Sequence, residues 1–343
     1  MKLLVTTQAV DVNDPILGFM VGWLRELSTH FERIDVVCLR KGSYSLPPHV
    51  HVHSLGKEDG ESRSKYVLRF YAYFIKVLFG VRVDYVFYHM GAIYNILGFP
   101  FFLIRSLLHT KFYWWKAHGH INALGRVALC FVDRVYTSTE SGFPITTKKR
   151  HIVGQAIDAA KFTQSEDVVR DENLILFVGR VTRIKHLEEL IATARILIRT
   201  YPQLRFTIIG PHDDPEYLTA LKTESKKAGL EHALTFLGPR SQDEIVGFYR
   251  RAGFFLNTSK TQSMDKTVLE AALCGCIPVT SNVAFRELLS DEGLFHPTGS
   301  PEGYATIIAN MIGKDTTELK NRLRDTVVRT HSLDTFSERI FGI

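Results

Sequence analysis

Two rhythms of apolar residues take turns along this chain. Residues 2–7, with Leu3, Leu4 and Val5, form a short continuous apolar run that reads as an opening strand. A polar loop over residues 8–18 follows. Phe19, Met20, Trp23, Leu24 and Leu27 then recur at three- and four-residue spacing, which predicts an amphipathic helix. Residues 34–39 are the next strand-like run, and residues 83–89, 111–115 and 132–138 continue the series. Helical stretches over residues 63–82 and 100–108 stand between them. Strands alternating with helices in this way predict a doubly wound parallel sheet.

The second half keeps the rhythm with greater regularity. A strand over residues 174–178 ends at Gly179-Arg180, and a helix runs over 186–199. A strand over 205–209 ends at Gly210-Pro211 and is followed by a helix over 215–228. A strand over 234–237 ends at Gly238, with a helix over 242–251 and a strand over 254–257 after it. A polar loop then leads into a short helix, a stop at Gly275 and the apolar run Ile277-Pro278-Val279. The 343 residues exceed one ordinary core and suit two domains. The expected division is 1–160 and 171–329, with a polar linker over 159–172. An amphipathic tail over 330–343 is expected to return to the first domain.

Composition narrows the partners. Lys plus Arg number 42 against 36 Asp plus Glu, a net charge of +6. That excess suits a nucleotide diphosphate or an anionic membrane surface, and it lacks the dense basic stripe of a DNA-binding domain. Cys38, Cys130, Cys274 and Cys276 show neither a disulfide framework nor zinc spacing, so a reducing cytoplasm is expected and no metal. The opening strand is too short for a signal peptide, and no long charge-free apolar run predicts a membrane span. Residues 63–82 are nearly all apolar, with Lys65, Arg69 and Lys76 on one stripe. Both a basic amphipathic helix on an anionic membrane and a core helix with one wet edge fit that pattern. His49, His51 and His53 alternate along a strand, where a solvated face explains them more simply than a metal site.

Ligands of open α/β sheets bind beyond the carboxyl ends of the strands. His89 and His118 follow strands in the first half. Asp14 and Gly18 lie in the first loop, where an acceptor contact and a capped turn both fit. In the second half Gly179, Arg180 and Lys185 connect a strand to a helix. There two cations and a helix N-terminus converge on a diphosphate. A basic surface loop gives the same short pattern. Asp265, Lys266 and Glu270 flank the start of another helix and also suit a phosphorylated ligand.

Across both motifs the chain resembles the family 4 retaining glycosyltransferases, which have the GT-B fold. Gly179-Arg180 with Lys185, Ser259, Asp265-Lys266, Leu269-Glu270-Ala271, Gly275 and Pro278-Val279 carry the likeness. Gly154 with Ile157-Asp158, and His118, add weaker matches. The resemblance implies two facing α/β domains, the first for the acceptor and the second for the donor, a UDP- or GDP-sugar. It assigns Arg180 and Lys185 to the diphosphate, Glu270 to the ribose hydroxyls and His118 to the donor sugar or reacting centre. Gly179, Gln262, Met264, Asp265 and Lys266 would complete the donor site, and Arg240 lies at a strand end suited to the base. Asp14, Gly18 and His89 would be acceptor contacts. No cofactor or metal is implied, because Arg, Lys and a helix N-terminus neutralise the leaving diphosphate. The implied acceptor is a lipid-linked or cell-envelope glycan. An epimerase or hydrolase of the same fold, and an inactive scaffold protein, stay open beside the transferase.

The sequence departs from that family pattern in two places. Gln262 stands eight positions before Glu270, where the family has a second glutamate, and it keeps the hydrogen bonding without the charge. Asp265 is the alternative carboxylate. The Gly-rich stretch after the first strand is missing, and Asp14, Pro15 and Gly18 occupy its region.

Overall fold

The apolar runs assemble into two sheets of parallel strands. The first contains β1 (Lys2–Val10), β2 (Arg33–Lys41), β3 (Val50–Ser54), β4 (Tyr85–His89), β5 (Lys111–Trp115), β6 (Arg134–Thr137) and β7 (Arg150–Ile152), in the order β3-β2-β1-β4-β5-β6-β7. The second contains β8 (Asp171–Val178), β9 (Arg205–Ile209), β10 (Leu234–Gly238), β11 (Ala252–Asn257) and β12 (Ile277–Thr280), in the order β10-β9-β8-β11-β12. This computed structural model describes residues 1–14 and 16–343. Pro15 lies outside the described residues. The chain divides into one unit of Met1–Ala156 with Leu333–Ile343 and a second of Ile157–Ser332.

Both faces of the first sheet are covered, which explains why its central strands β4 and β5 are near-continuous apolar runs rather than alternating. Phe87, Tyr113, Trp115 and Tyr136 face the helix Phe19–Leu27 and the tail. Their chain neighbours Val86, Tyr88, Phe112, Trp114 and Val135 face a second aromatic layer with Phe70, Phe74 and Tyr94. The tail belongs to this unit. The Phe336 ring lies tilted 4.4 Å from that of Trp23, Phe341 lies 5.1 Å from Phe31, and Tyr136 OH donates to Ile340 O at 2.6 Å.

Several elements differ from the pattern-based expectation. Residues 159–172 lie wholly in the second unit and do not behave as a linker. Phe162 is buried, Arg250 Nε donates to Thr163 O at 2.8 Å, and the Arg170 guanidinium donates to Ala252 O and Cys274 O. From Asp171 onward the chain is already β8. The polar residues there serve backbone groups, which a sequence cannot distinguish from solvation. The helix expected over 63–82 is α-helical only over Arg63–Ile75. It continues as a wider π turn over Lys76–Val81, and Arg82 ends it at φ +59°. The stretch 100–108 splits into Phe99–Leu103 and Arg105–Leu108.

In the second sheet the strand order reverses between β8 and β11, since their crossovers run to opposite sides. A crevice opens at the carboxyl ends of such strands. The loops after β8 and β11 are those that carry Gly179–Lys185 and Ser259–Asp265 in sequence.

Candidate functional site

In the second unit the loop after β8 is set by two glycines. Gly179 N donates to Ile209 O and Gly210 N to Gly238 O. A Cβ on Gly210 would fall 1.9 Å from Gly179 O, so only glycine lets β9 leave the sheet this close to the β8 loop. The chain then makes a 3-10 turn over Arg183–Lys185 and enters the helix Leu187–Thr200 through His186, a left-handed residue at φ +50°. That turn aims Lys185 inward and leaves Arg180 exposed. Arg180 is paired only loosely, its Nη1 being 3.6 Å from the exposed Asp213.

Lys185 meets the loop after β11. Its Nζ lies 2.7 Å from Asp265 Oδ1 and 3.3 Å from Ser259 Oγ, and its carbonyl accepts from Thr258 Oγ1 at 2.6 Å. Asp265 Oδ2 accepts from Asn257 Nδ2 at 3.1 Å. Asn257 and Thr280 are partners in the β11–β12 register, and Thr280 Oγ1 donates to Asn257 Oδ1 at 3.0 Å. Asn282 Nδ2 donates to Ser263 O at 2.8 Å and ties down the middle of the loop. A chain of short polar side chains at two strand ends thus fixes an anion-pairing loop against a lysine that is 80 residues away in sequence.

Glu270 lies one turn into the helix Lys266–Leu273, on the side of Tyr249, whose OH donates to Oε2 at 3.1 Å. Burial pushes the Glu270 carboxyl up to about 7, against the opposing pull of Lys266 and the Tyr249 hydroxyl. The same burial pushes the Lys266 ammonium well below its ordinary value, with Glu270 acting the other way. The carboxyl is therefore poised to change charge near neutrality. It can accept hydrogen bonds from two neighbouring hydroxyls when ionised.

Three residues expected at the donor site sit differently. Met264 is 6% exposed and packs into the core of the unit. The Lys266 nitrogen is buried beside Glu270 rather than presented to solvent as a phosphate-binding cation. Asp265 has both carboxylate oxygens engaged by protein groups, which leaves it poorly placed to substitute for a sugar-binding glutamate. Gln262 is exposed at the loop apex with φ +59°. Arg240 is exposed past the end of β10, donating to Pro239 O and lying 3.7 Å from Glu244. Asn257, Thr280, Asn282 and Tyr249 were not singled out from sequence. The polar clusters Asn257-Thr258-Ser259 and Thr280-Ser281-Asn282, each ending an apolar strand, are a usable signal for the first three. Tyr249 on an amphipathic helix gives none.

In the first unit the order reverses between β1 and β4; Asp14 and Gly18 follow β1, His89 ends β4 and His118 follows β5. Asp14 is a structural cap. Its Oδ1 accepts from Ile16 N at 2.8 Å and Leu17 N at 2.7 Å, and Oδ2 pairs with Arg40. Gly18 is needed because a Cβ would lie 2.8 Å from both Asp14 O and Val12 O. The capped-turn reading accounts for both. His89 is 2% exposed, its ring edge-on to Phe19 and Trp23 and its Nδ1 3.2 Å from Thr7 Oγ1. Aromatic packing closes it off from an acceptor. His118 is exposed beyond β5, and its Nδ1 accepts from His120 N at 3.2 Å. Desolvation and the charges of Lys116 and His120 hold its imidazole below the usual range. His53, one of the alternating histidines, stacks on Tyr73 and lies 2.8 Å from the buried Asp35. Among the described residues no group of three His, Cys, Asp or Glu side chains is arranged to hold a metal ion.

Residues 172–314, which hold the whole of this site, match the family described as Glycosyl transferases group 1. Over that span the second unit is similar to the glycosyl transferases group 1. Its relatives include the D-inositol 3-phosphate glycosyltransferase of Corynebacterium jeikeium (strain K411), 24% identical over 192 residues, which are 51% of this chain and 46% of that protein. The alpha-monoglucosyldiacylglycerol synthase of Streptococcus pneumoniae (strain ATCC BAA-255 / R6) is 22% identical over 169 residues, 44% of this chain and 37% of the relative. The chain thus spans less than half the length of each of these two relatives. Solved structures extend the likeness over both units. Anabaena Alr3699/HepE in complex with UDP has a TM-score of 0.76 at 16% identity, covering 100% of this chain and 99% of that one. S. aureus TarM, in a complex with Fondaparinux, alpha-GlcNAc-glycerol and UDP, has a TM-score of 0.74 at 10% identity, covering 99% of each chain. The second unit is thus one half of a GT-B fold.

Proposed function

We propose that the chain is a retaining glycosyltransferase that moves a sugar from a nucleotide-diphosphate sugar to a glycan or lipid-linked acceptor. The observation that carries this reading is the clustering of Lys185, Ser259 and Asp265 at the carboxyl ends of β8 and β11, with the buried Glu270–Tyr249 pair on the adjoining helix. Arg180 and Lys185 are the cations for the diphosphate, and the first turn of the helix Lys266–Leu273 adds backbone donors. Negative charge builds on the diphosphate as the glycosidic bond to it breaks. Fixed cations there lower the barrier without a metal. The acceptor hydroxyl oxygen bonds the anomeric carbon on the face the diphosphate leaves, and its proton passes to a diphosphate oxygen. Ionised Glu270 accepts the ribose hydroxyls. The exposed Gln262 offers the sugar an uncharged partner, a weaker acceptor than a carboxylate. UDP in the solved neighbours favours a uridine donor for the first trials.

A membrane-borne acceptor fits the first unit. Leu68 (70% exposed), Ile75 and Phe79 project from the segment that carries Lys65, Arg69 and Lys76. Glu61 pairs with Lys65 at 2.7 Å and with Arg69 at 2.9 Å, so one carboxylate offsets part of the stripe. No described helix is long and apolar enough to cross a membrane, and in this reading contact is peripheral, at the cytoplasmic face. The purified chain, incubated with a panel of UDP- and GDP-sugars with and without membrane-extract acceptors, should release nucleotide diphosphate only when an acceptor is present. Release without acceptor would favour a hydrolase, and an altered nucleotide sugar without release an epimerase. Failure to release or bind any nucleotide diphosphate would refute the transferase.

A further inference from the structure

The lysine that a diphosphate needs is already occupied. Lys185 and Asp265 are 13% and 17% exposed at the side chain and 2.7 Å apart. Asn257 holds the other carboxylate oxygen, and Thr280 holds Asn257. Asp265 stands at the N-cap of the helix Lys266–Leu273, yet its side chain makes no capping hydrogen bond to that helix. An N-cap aspartate normally satisfies first-turn N–H groups. Here the carboxylate turns to the ammonium instead, and lies between a lysine and a helix N-terminus. Those are the groups that suit a phosphate.

We propose that Asp265 is an internal competitor of the donor diphosphate for Lys185. It holds the ammonium while the site is empty and yields it when the diphosphate arrives. The proposal rests on the donor-site reading above. Two anions drawn to one partly buried ammonium repel each other, so the aspartate lowers affinity for the nucleotide diphosphate. It also favours departure of the nucleotide once the sugar has left. Affinity and release are thereby set by one residue that touches the phosphate-binding lysine, while the ribose and base contacts are untouched.

Asp265→Asn removes the charge and keeps an oxygen for Asn257. In calorimetric titrations of the full chain with UDP and GDP, the variant should bind the accepted nucleotide about tenfold or more tightly than wild type. The gain should vanish in a Lys185→Met background, because the competition acts through that ammonium. A merely structural role for Asp265 would weaken binding in both backgrounds. Asp265→Ser, with a shorter N-cap side chain, should reproduce the gain and guards against a fault specific to asparagine. Equal or weaker binding by both variants, where wild type binds, overturns the competition and leaves the donor site standing. Binding of neither nucleotide by any of these proteins overturns both.

Discussion

Glu270 offers the sharpest test of the donor site, because its environment ties nucleotide affinity to pH. Burial raises its carboxyl to about 7, opposed by Lys266 and by the Tyr249 hydroxyl at 3.1 Å. Only the ionised form can accept two ribose hydroxyls without giving up an acceptor to its own proton. A group with a pKa of about 7 is roughly 90% ionised at about pH 8 and roughly 10% at about pH 6, so the dissociation constant for UDP should rise about three- to fivefold between them. Glu270→Gln should bind about five- to tenfold more weakly at about pH 8, the difference between a charged and a neutral acceptor, with no such rise on acidification. The phosphate of UDP titrates over part of the same range, but it does so for both proteins and cancels in their ratio. Titration calorimetry across this interval measures that ratio directly. Stability runs the opposite way. A carboxyl whose folded pKa is raised contributes stability that is present below its ordinary range and lost as pH rises through about 7. Thermal stabilisation by UDP should therefore grow with pH while the empty protein loses this contribution. A wild-type to Glu270→Gln affinity ratio that stays constant with pH would refute the reasoning.

Other positions give independent checks. Lys185→Ala should lower turnover by about 10²-fold or more through loss of a cation on the developing diphosphate charge, and wild-type turnover in a folded mutant would remove Lys185 from that role. Gly210→Ala should cost about 1–3 kcal/mol, because the new methyl meets the Gly179 carbonyl rather than a movable side chain; an unchanged urea midpoint would contradict that close approach. Replacing Lys65, Arg69 and Lys76 together by Gln should weaken co-sedimentation with anionic vesicles. Glu61 already offsets two of these cations, so much of any binding that survives should depend on Leu68, Ile75 and Phe79 rather than on salt.

The architecture was legible because the central strands need both faces covered. Val86, Phe87, Tyr88 and their counterparts Phe112 to Trp115 are apolar at every position, and only a sheet with layers on both sides buries such a run. The alternation of strands and helices also marked the loops at strand carboxyl ends as candidates, whereas the reversal points rest on a strand order that it does not give. The boundary between the units was not legible. Arg170 and Asp171 look like solvated linker residues, and their partners are carbonyls or charges distant in sequence, among them Cys274 O and Arg205. The break at Ile104 and the π turn after Ile75 likewise interrupt apolar patterns that run on unbroken in the sequence.

The site was legible one residue at a time, and its electrostatics were not. Glycine, arginine, lysine and glutamate at strand ends carry meaning singly, because a helix N-terminus and a diphosphate require those chemistries. Whether a charge is available depends on what faces it. Read along the chain, Lys185, Asp265 and Lys266 look like two cations and an acid awaiting a ligand. In the fold one cation is held by the acid and the other is buried beside Glu270. Arg180, with only a loose and exposed partner, is left as the cation most open to an incoming diphosphate. First contact with the phosphates should thus fall to Arg180, with Lys185 recruited only as Asp265 releases it. On that order Arg180→Ala should slow nucleotide association, whereas Asp265→Asn should act mainly on dissociation. Stopped-flow binding that assigned the two effects the other way round would show that Lys185, and not Arg180, meets the donor first.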